Sequence, residues 1–158
     1  MLGLPEAAIA AAPVVASCGA PYHLIALTDL EQLACARVET TMLRVCCPEP
    51  GERSLYLYVR QPDNGLRTRM FAPLTGTPED PATGSAAAPL AGFLTGLESG
   101  AGTYEWKIRQ GVEMGRPSDI VAHVERNEQG VSVIRITGEA VIVGEGRLRY
   151  SPEAHGSD

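Results

Sequence analysis

The sequence predicts an α+β domain in which an antiparallel, barrel-like sheet curls around one central helix. Short β-type runs bounded by Gly, Pro and Asn-Gly turns recur along the chain and become almost continuous after Thr103. A single long alanine-rich stretch after Ser85 carries Leu90, Ala91, Leu94 and Leu97 on one stripe, with small residues over much of the rest, so protein can surround it on most sides. At 158 residues and 44% hydrophobic content the chain can build one proper core, and is too short for two large ones. The expected layout is a lead-in at 1–12, one domain at 13–150 and a flexible tail at 151–158.

In chain order, Pro5 to Ala11 reads as a short helical piece. Pro13 to Cys18 and Tyr22 to Leu27 read as strands separated by Gly19-Ala20-Pro21. Thr28-Asp29 caps a helix from Leu30 to Val38, whose apolar positions repeat at helical spacing. Met42 to Cys47, Leu55 to Arg60 and Leu66 to Phe71 are strand candidates, the last two joined by Pro62-Asp63-Asn64-Gly65, a hairpin signal. In Leu55 to Arg60 the alternation predicts one buried face and one partly wet face carrying Tyr56 and Tyr58. Pro89 predicts a kink or a late start in the central helix, because it lacks an N–H and disfavours the helical conformation of Ala88. Strands follow at 103–110, 120–126, 131–137, 140–143 and 147–150.

A net charge of −6 with no clustered Lys or Arg argues against nucleic acid. No run approaches the roughly 20 apolar residues of a membrane span. The apolar opening lacks the basic start of a signal peptide, which points to a cytoplasmic protein. Without a secretory signal, Cys18, Cys35, Cys46 and Cys47 read as reduced, buried thiols. His23, His123 and His155 show no ligand spacing, so no metal site is expected, and no phosphate loop or dinucleotide fingerprint is present.

Chemistry concentrates at Glu79-Asp80-Pro81-Ala82-Thr83-Gly84-Ser85-Ala86, where a loop opens into the central helix. The first N–H groups of a helix lack intrahelical partners and sit at its positive end. With Thr83 as N-cap, the amides of Gly84, Ser85 and Ala86 can receive an anion. Gly84 lets a ligand approach the backbone, Ser85 adds a hydroxyl, and Asp80 is a carboxylate beside this pocket, one way to build a proton-transfer site without a cofactor. The same residue types are also ordinary helix-start residues. Arg116, in Gly115-Arg116-Pro117-Ser118, can hold a substrate anion or simply be a surface arginine on a tight turn.

Arg69-Met70-Phe71-Ala72-Pro73 together with Glu79 to Ala86 resembles the hallmark of the phenazine-biosynthesis PhzF-like isomerase family, which has the diaminopimelate epimerase fold. Gln110-Gly111, Met114 to Ser118 and Ile120 to Val124 resemble a later family segment, and the likeness spans roughly residues 14–148. It matches the C-terminal half only of a longer family member. The resemblance implies a cofactor-independent isomerase moving a proton on a small carboxylate-bearing metabolite, with Asp80 catalytic and Thr83, Gly84, Ser85, Ala86 and Arg116 holding substrate. It also implies that the family's first-domain catalytic glutamate is absent here, so that the chain is a fragment or is completed by a missing first-domain subunit. The alternatives are a homodimer with its own cleft and a non-catalytic small-acid binding module.

Overall fold

The structure, a computed structural model, describes residues 1–49 and 53–149. Eight strands form one sheet: β1 (Val14–Ser17), β2 (Pro21–Ala26), β3 (Leu55–Gln61), β4 (Gly65–Ala72), β5 (Thr77–Asp80), β6 (Gly102–Gln110), β7 (Ser118–Asn127) and β8 (Gly130–Gly138). Their order is β1-β2-β3-β4-β6-β7-β8, with β5 also paired to β4. Among the described residues three α-helices accompany them: α1 (Leu30–Cys35), α2 (Thr40–Cys46) and α3 (Gly84–Leu97).

Helix α3 touches β1 and β2 as well as β6, β7 and β8, so both ends of the sheet bend towards it. The α+β class and the curled, half-barrel sheet are borne out. The sheet is mixed, because β2 pairs with β3 and β4 with β6 in parallel. Parallel neighbours need a crossover, and the two crossovers lie on opposite faces: α1 and α2 on one, α3 on the other.

Both faces of the middle strands are therefore covered. Tyr56 and Tyr58 face the core around Leu90, Ala91, Leu94 and Trp106, while Leu55, Leu57 and Val59 face a second core with Leu33, Leu43 and Phe71. The partly wet face expected for β3 does not exist; all five side chains from Leu55 to Val59 are buried. The hairpin between β3 and β4 forms as expected, with Asp63 and Asn64 both at positive φ.

Several local expectations change. Met42 to Cys47 lies largely in helix α2, where Glu39 accepts from the Thr41 N–H and Leu43 is the buried residue, because this segment serves a crossover. The helix expected to reach Val38 ends at Cys35, and the opening helix shrinks to a 3-10 turn at Glu6–Ala8. Helix α3 starts at Gly84 and runs through Pro89 to Leu97, although Leu97 itself is exposed. Residues 140–149 form no strand; Tyr150 and the expected tail lie outside the described residues. Of the four cysteines, expected to be buried, only Cys47 is. Among the described residues no helix is long and apolar enough to cross a membrane.

Arg69 joins these layers. From the middle of β4 its buried guanidinium donates through Nε and Nη2 to Glu79 of β5 at 2.8 and 2.9 Å. Its Nη1 reaches the carbonyls of Leu33, Ala34 and Ala36 at the end of α1, at 2.9 to 3.2 Å. Replacing Arg69 with leucine strands the partly buried Glu79 carboxylate and takes one donor from each of three carbonyls, and should cost about 3 kcal/mol or more in urea unfolding. Arg109→Ala, which removes an exposed pair with Asp119, should cost below about 1 kcal/mol in the same measurement.

Candidate functional site

Strand β4 has two partners along one edge. Its first half pairs with β6, placing Thr68 opposite Gln110, and its second half pairs with β5, placing Met70 opposite Asp80. The C-terminal ends of β5 and β6 thus abut, bringing together residues thirty positions apart in the chain. Gln110, fully buried, donates from Nε2 to the Asp80 carbonyl at 2.6 Å and to Thr83 Oγ1 at 2.9 Å. Its Oε1 accepts from the Tyr56 hydroxyl at 3.0 Å and from the Thr83 N–H at 3.4 Å.

This arrangement gives the hydrogen bonds a direction. Burial pushes the Tyr56 phenol well above its usual range, so it stays protonated and donates. Gln110 presents its amide nitrogen to Thr83, and the Thr83 hydroxyl, already accepting, donates to Asp80 Oδ2 at 2.6 Å. Asp80 itself is half-buried.

Thr83 occupies the N-cap position but makes no side-chain cap bond, since its hydroxyl is engaged by Asp80. The Ala86 N–H donates to the Thr83 carbonyl at 3.1 Å, and Ala86 is fully buried. The Gly84 and Ser85 amides are the ones that helix geometry leaves without an intrahelical acceptor. Ser85 is exposed, and its Oγ lies 2.8 Å from the Tyr22 hydroxyl. Asp80, Thr83, Gly84 and Ser85 therefore share one corner, with a carboxylate beside a helix N-terminus.

The other wall is the turn from Gly111 to Arg116. Gly111 has φ +75°, and a Cβ placed there would lie 2.4 Å from the Arg116 carbonyl oxygen and 2.7 Å from that of Pro81. Only glycine lets this turn pack on the Asp80 loop. Arg67 of β4 pins the turn through Glu113 at 2.9 Å. Arg116 sits at the end of the turn with its side chain exposed. Next to it, Pro117, Ser118 and Asp119 line a cavity of about 570 Å³ together with Ala82, Thr137 and Glu139. Among the described residues no group of His, Cys, Asp and Glu is placed to hold a metal ion.

The family model for phenazine biosynthesis-like protein matches residues 3–146. This chain belongs to that family. An uncharacterized isomerase of Mesorhizobium japonicum is 38% identical over 141 residues, covering 84% of this chain and 46% of that protein. The trans-2,3-dihydro-3-hydroxyanthranilate isomerase of Pseudomonas aeruginosa is 43% identical over 81 residues, 51% of this chain and 29% of its own. A Bacillus anthracis phenazine biosynthesis protein of the PhzF family superposes with a TM-score of 0.69 at 15% identity, over 86% of this chain and 52% of that one, which shows a shared fold. The chain spans about half the length of the curated relatives that it matches over most of its own length.

The family match corrects the expectation drawn from the two motifs. It begins at residue 3 and takes in nearly the whole chain, including Leu2's neighbours and the α1–α2 crossover, so the likeness is not to a C-terminal half only. The reading of the chain as such a half falls with it. Motif residues also divide by role: Arg69 and Glu79 form the buried clamp between layers, whereas Asp80 to Ser85 line the corner. Gln110 and Tyr56 were missed as site residues. Gln110 had a signal, since it continues the inward alternation of Trp106 and Ile108 with a polar side chain.

Gln110→Leu should take one partner from the Tyr56 hydroxyl, which keeps Thr68 Oγ1 at 3.2 Å, and remove those of the Thr83 N–H and the Asp80 carbonyl, costing about 1–3 kcal/mol in chemical unfolding. Gly111→Ala should lower Tm more than Gly76→Ala: both have positive φ, but a Cβ at Gly76 meets nothing within 4 Å.

Proposed function

We propose that this chain takes part in the isomerisation of a small carboxylate-bearing metabolite by proton transfer, without a cofactor. The observation that carries the reading is the juxtaposition of the Asp80 carboxylate with the N-terminus of α3. The substrate carboxylate rests on the Gly84 and Ser85 amides and the Ser85 hydroxyl, which the Tyr22 hydroxyl holds in place. Ala86 backs this pocket from the core, and Arg116 approaches the anion from the facing turn.

Asp80 then removes a proton from one carbon of the substrate. The electron pair left behind spreads towards the carboxylate, where the helix N-terminus stabilises the added negative charge. Asp80 returns the proton to a second carbon, so a double bond moves and nothing is oxidised or reduced. Thr83, fixed by Gln110, keeps the carboxylate turned to the pocket. Family membership and the named isomerases among the relatives support this class of reaction. Exposed thiols at Cys18, Cys35 and Cys46 support a reducing, cytoplasmic setting.

The test is solvent deuterium exchange into trans-2,3-dihydro-3-hydroxyanthranilate and a panel of small unsaturated acids, followed by mass spectrometry and matched with calorimetric binding. Asp80→Asn should reduce exchange by about 100-fold or more while retaining binding. Ser85→Ala should weaken binding by about 10-fold. Exchange that continues unchanged in Asp80→Asn overturns the catalytic assignment. Binding lost in Ser85→Ala with no exchange in any variant reassigns the chain as a small-acid binding module.

A further inference from the structure

The far end of α3, away from the corner at Gly84, borders a second space. The helix has 14 residues, so its last turn lies roughly 20 Å from its first amide. There Leu94 and Leu97, with Ala11, Leu27 and Val59, line a cavity of about 310 Å³, at the small end of the range for ligand pockets.

Three polar side chains line it as well: Thr28, Tyr58 and Arg60. Two of them are engaged. The Thr28 hydroxyl donates to Asp29 at 3.0 Å, and Arg60 holds Glu98 at 3.0 Å with its guanidinium over the Trp106 ring. Tyr58 differs. Tyr22, Tyr56 and Tyr104 each form hydrogen bonds through their hydroxyls, whereas that of Tyr58 has no partner among the described residues. Nor is it sealed away from solvent, as the unpaired Arg67 Nε and Glu113 Oε2 are. A residue only 6% exposed, with an unpaired hydroxyl that is still accessible, presents that hydroxyl to the cavity it lines.

The surroundings select the ligand. Burial pushes the Tyr58 phenol up, with Arg60 opposing in part, so at neutral pH it is protonated and donates. An occupant must therefore offer an acceptor. A carboxylate is disfavoured, because the carbonyl end of α3 is the negative end of its dipole and the Arg60 cation is already paired with Glu98. We propose that this cavity binds a neutral, mainly apolar molecule with one acceptor oxygen, a small ketone or ester, which accepts from Tyr58 and rests its hydrocarbon part on Leu94 and Leu97.

Acetophenone, its hydrocarbon isostere α-methylstyrene and benzoate separate these contributions in amide NMR titrations of the whole chain, a readout independent of turnover at Asp80. Acetophenone should bind saturably with a Kd on the order of 1 mM or below, shifting the amides of Leu27, Val59 and Leu94 and leaving those of Gly84 and Ser85 in place. At the same cavity amides, α-methylstyrene and benzoate should each bind about 5-fold or more weaker. Tyr58→Phe should lower the affinity for acetophenone to that for α-methylstyrene. It should leave the urea midpoint unchanged, since the hydroxyl removed has no partner in the protein. Absence of saturable shifts at the cavity amides overturns the proposal. So does benzoate binding there more tightly than acetophenone, or a Tyr58→Phe chain that keeps the full preference for acetophenone over α-methylstyrene.

Discussion

The structure depends on one buried cation. Arg69 stands in the strand that every other layer meets, and its planar fork has donors in enough directions to bind the end of α1 and the carboxylate of Glu79 together. Removing such a charge from water is costly, and only a nearly complete set of acceptors offsets it. Here the acceptors are the carbonyls at the end of a short helix, two of which Arg37 also meets, and a glutamate adjacent to Asp80. Holding the first half of the crossover and placing the site loop are consequences of the same side chain. The Phe71 ring, 4.6 Å from the guanidinium carbon, closes the pocket from the β4 side.

From this clamp the geometry of the site follows by register. Strand β5 is short because Glu79 and Asp80 must end beside Met70, and β6 ends at Gln110 beside Thr68. Two strands with different partners in sequence thus share one edge of β4 and meet end to end. Gln110 fills the junction. Its amide satisfies both main-chain groups of the Asp80–Thr83 turn that a continuous strand would have paired. The carboxylate is therefore presented by a sheet interrupted in a defined place, with the N-terminus of α3 entering through the gap.

What could be read from sequence was what is local. The Asn-Gly hairpin, the Asp29 cap of α1 and the start of α3 at Thr83-Gly84 each carry their cause within a few residues, and each forms. The curled sheet about α3 followed from one apolar helix among many strands. The parallel pairings were not legible, because nothing in β2 or β4 names a partner across a crossover. That omission explains two errors. Alternation alone makes the face of Tyr56 and Tyr58 partly wet, whereas the crossovers cover it, and the strand-like composition of Met42 to Cys47 lies largely in the crossover helix. At the site, Asp80, Thr83, Gly84 and Ser85 stand close together, whereas the clamp of Arg69 with Glu79 and the bracing by Gln110 required the fold. Residues 140–143 and 147–149 carry the composition of strands, but among the described residues they pair with none.

The Thr83 hydroxyl faces Asp80 and not the first turn of α3, so the longest helix of the domain begins without a side-chain cap. Such a cap typically contributes about 1 kcal/mol to a helix. An anion seated on the Gly84 and Ser85 amides would supply the missing acceptor. Such a ligand would cap the helix as well as occupy the site.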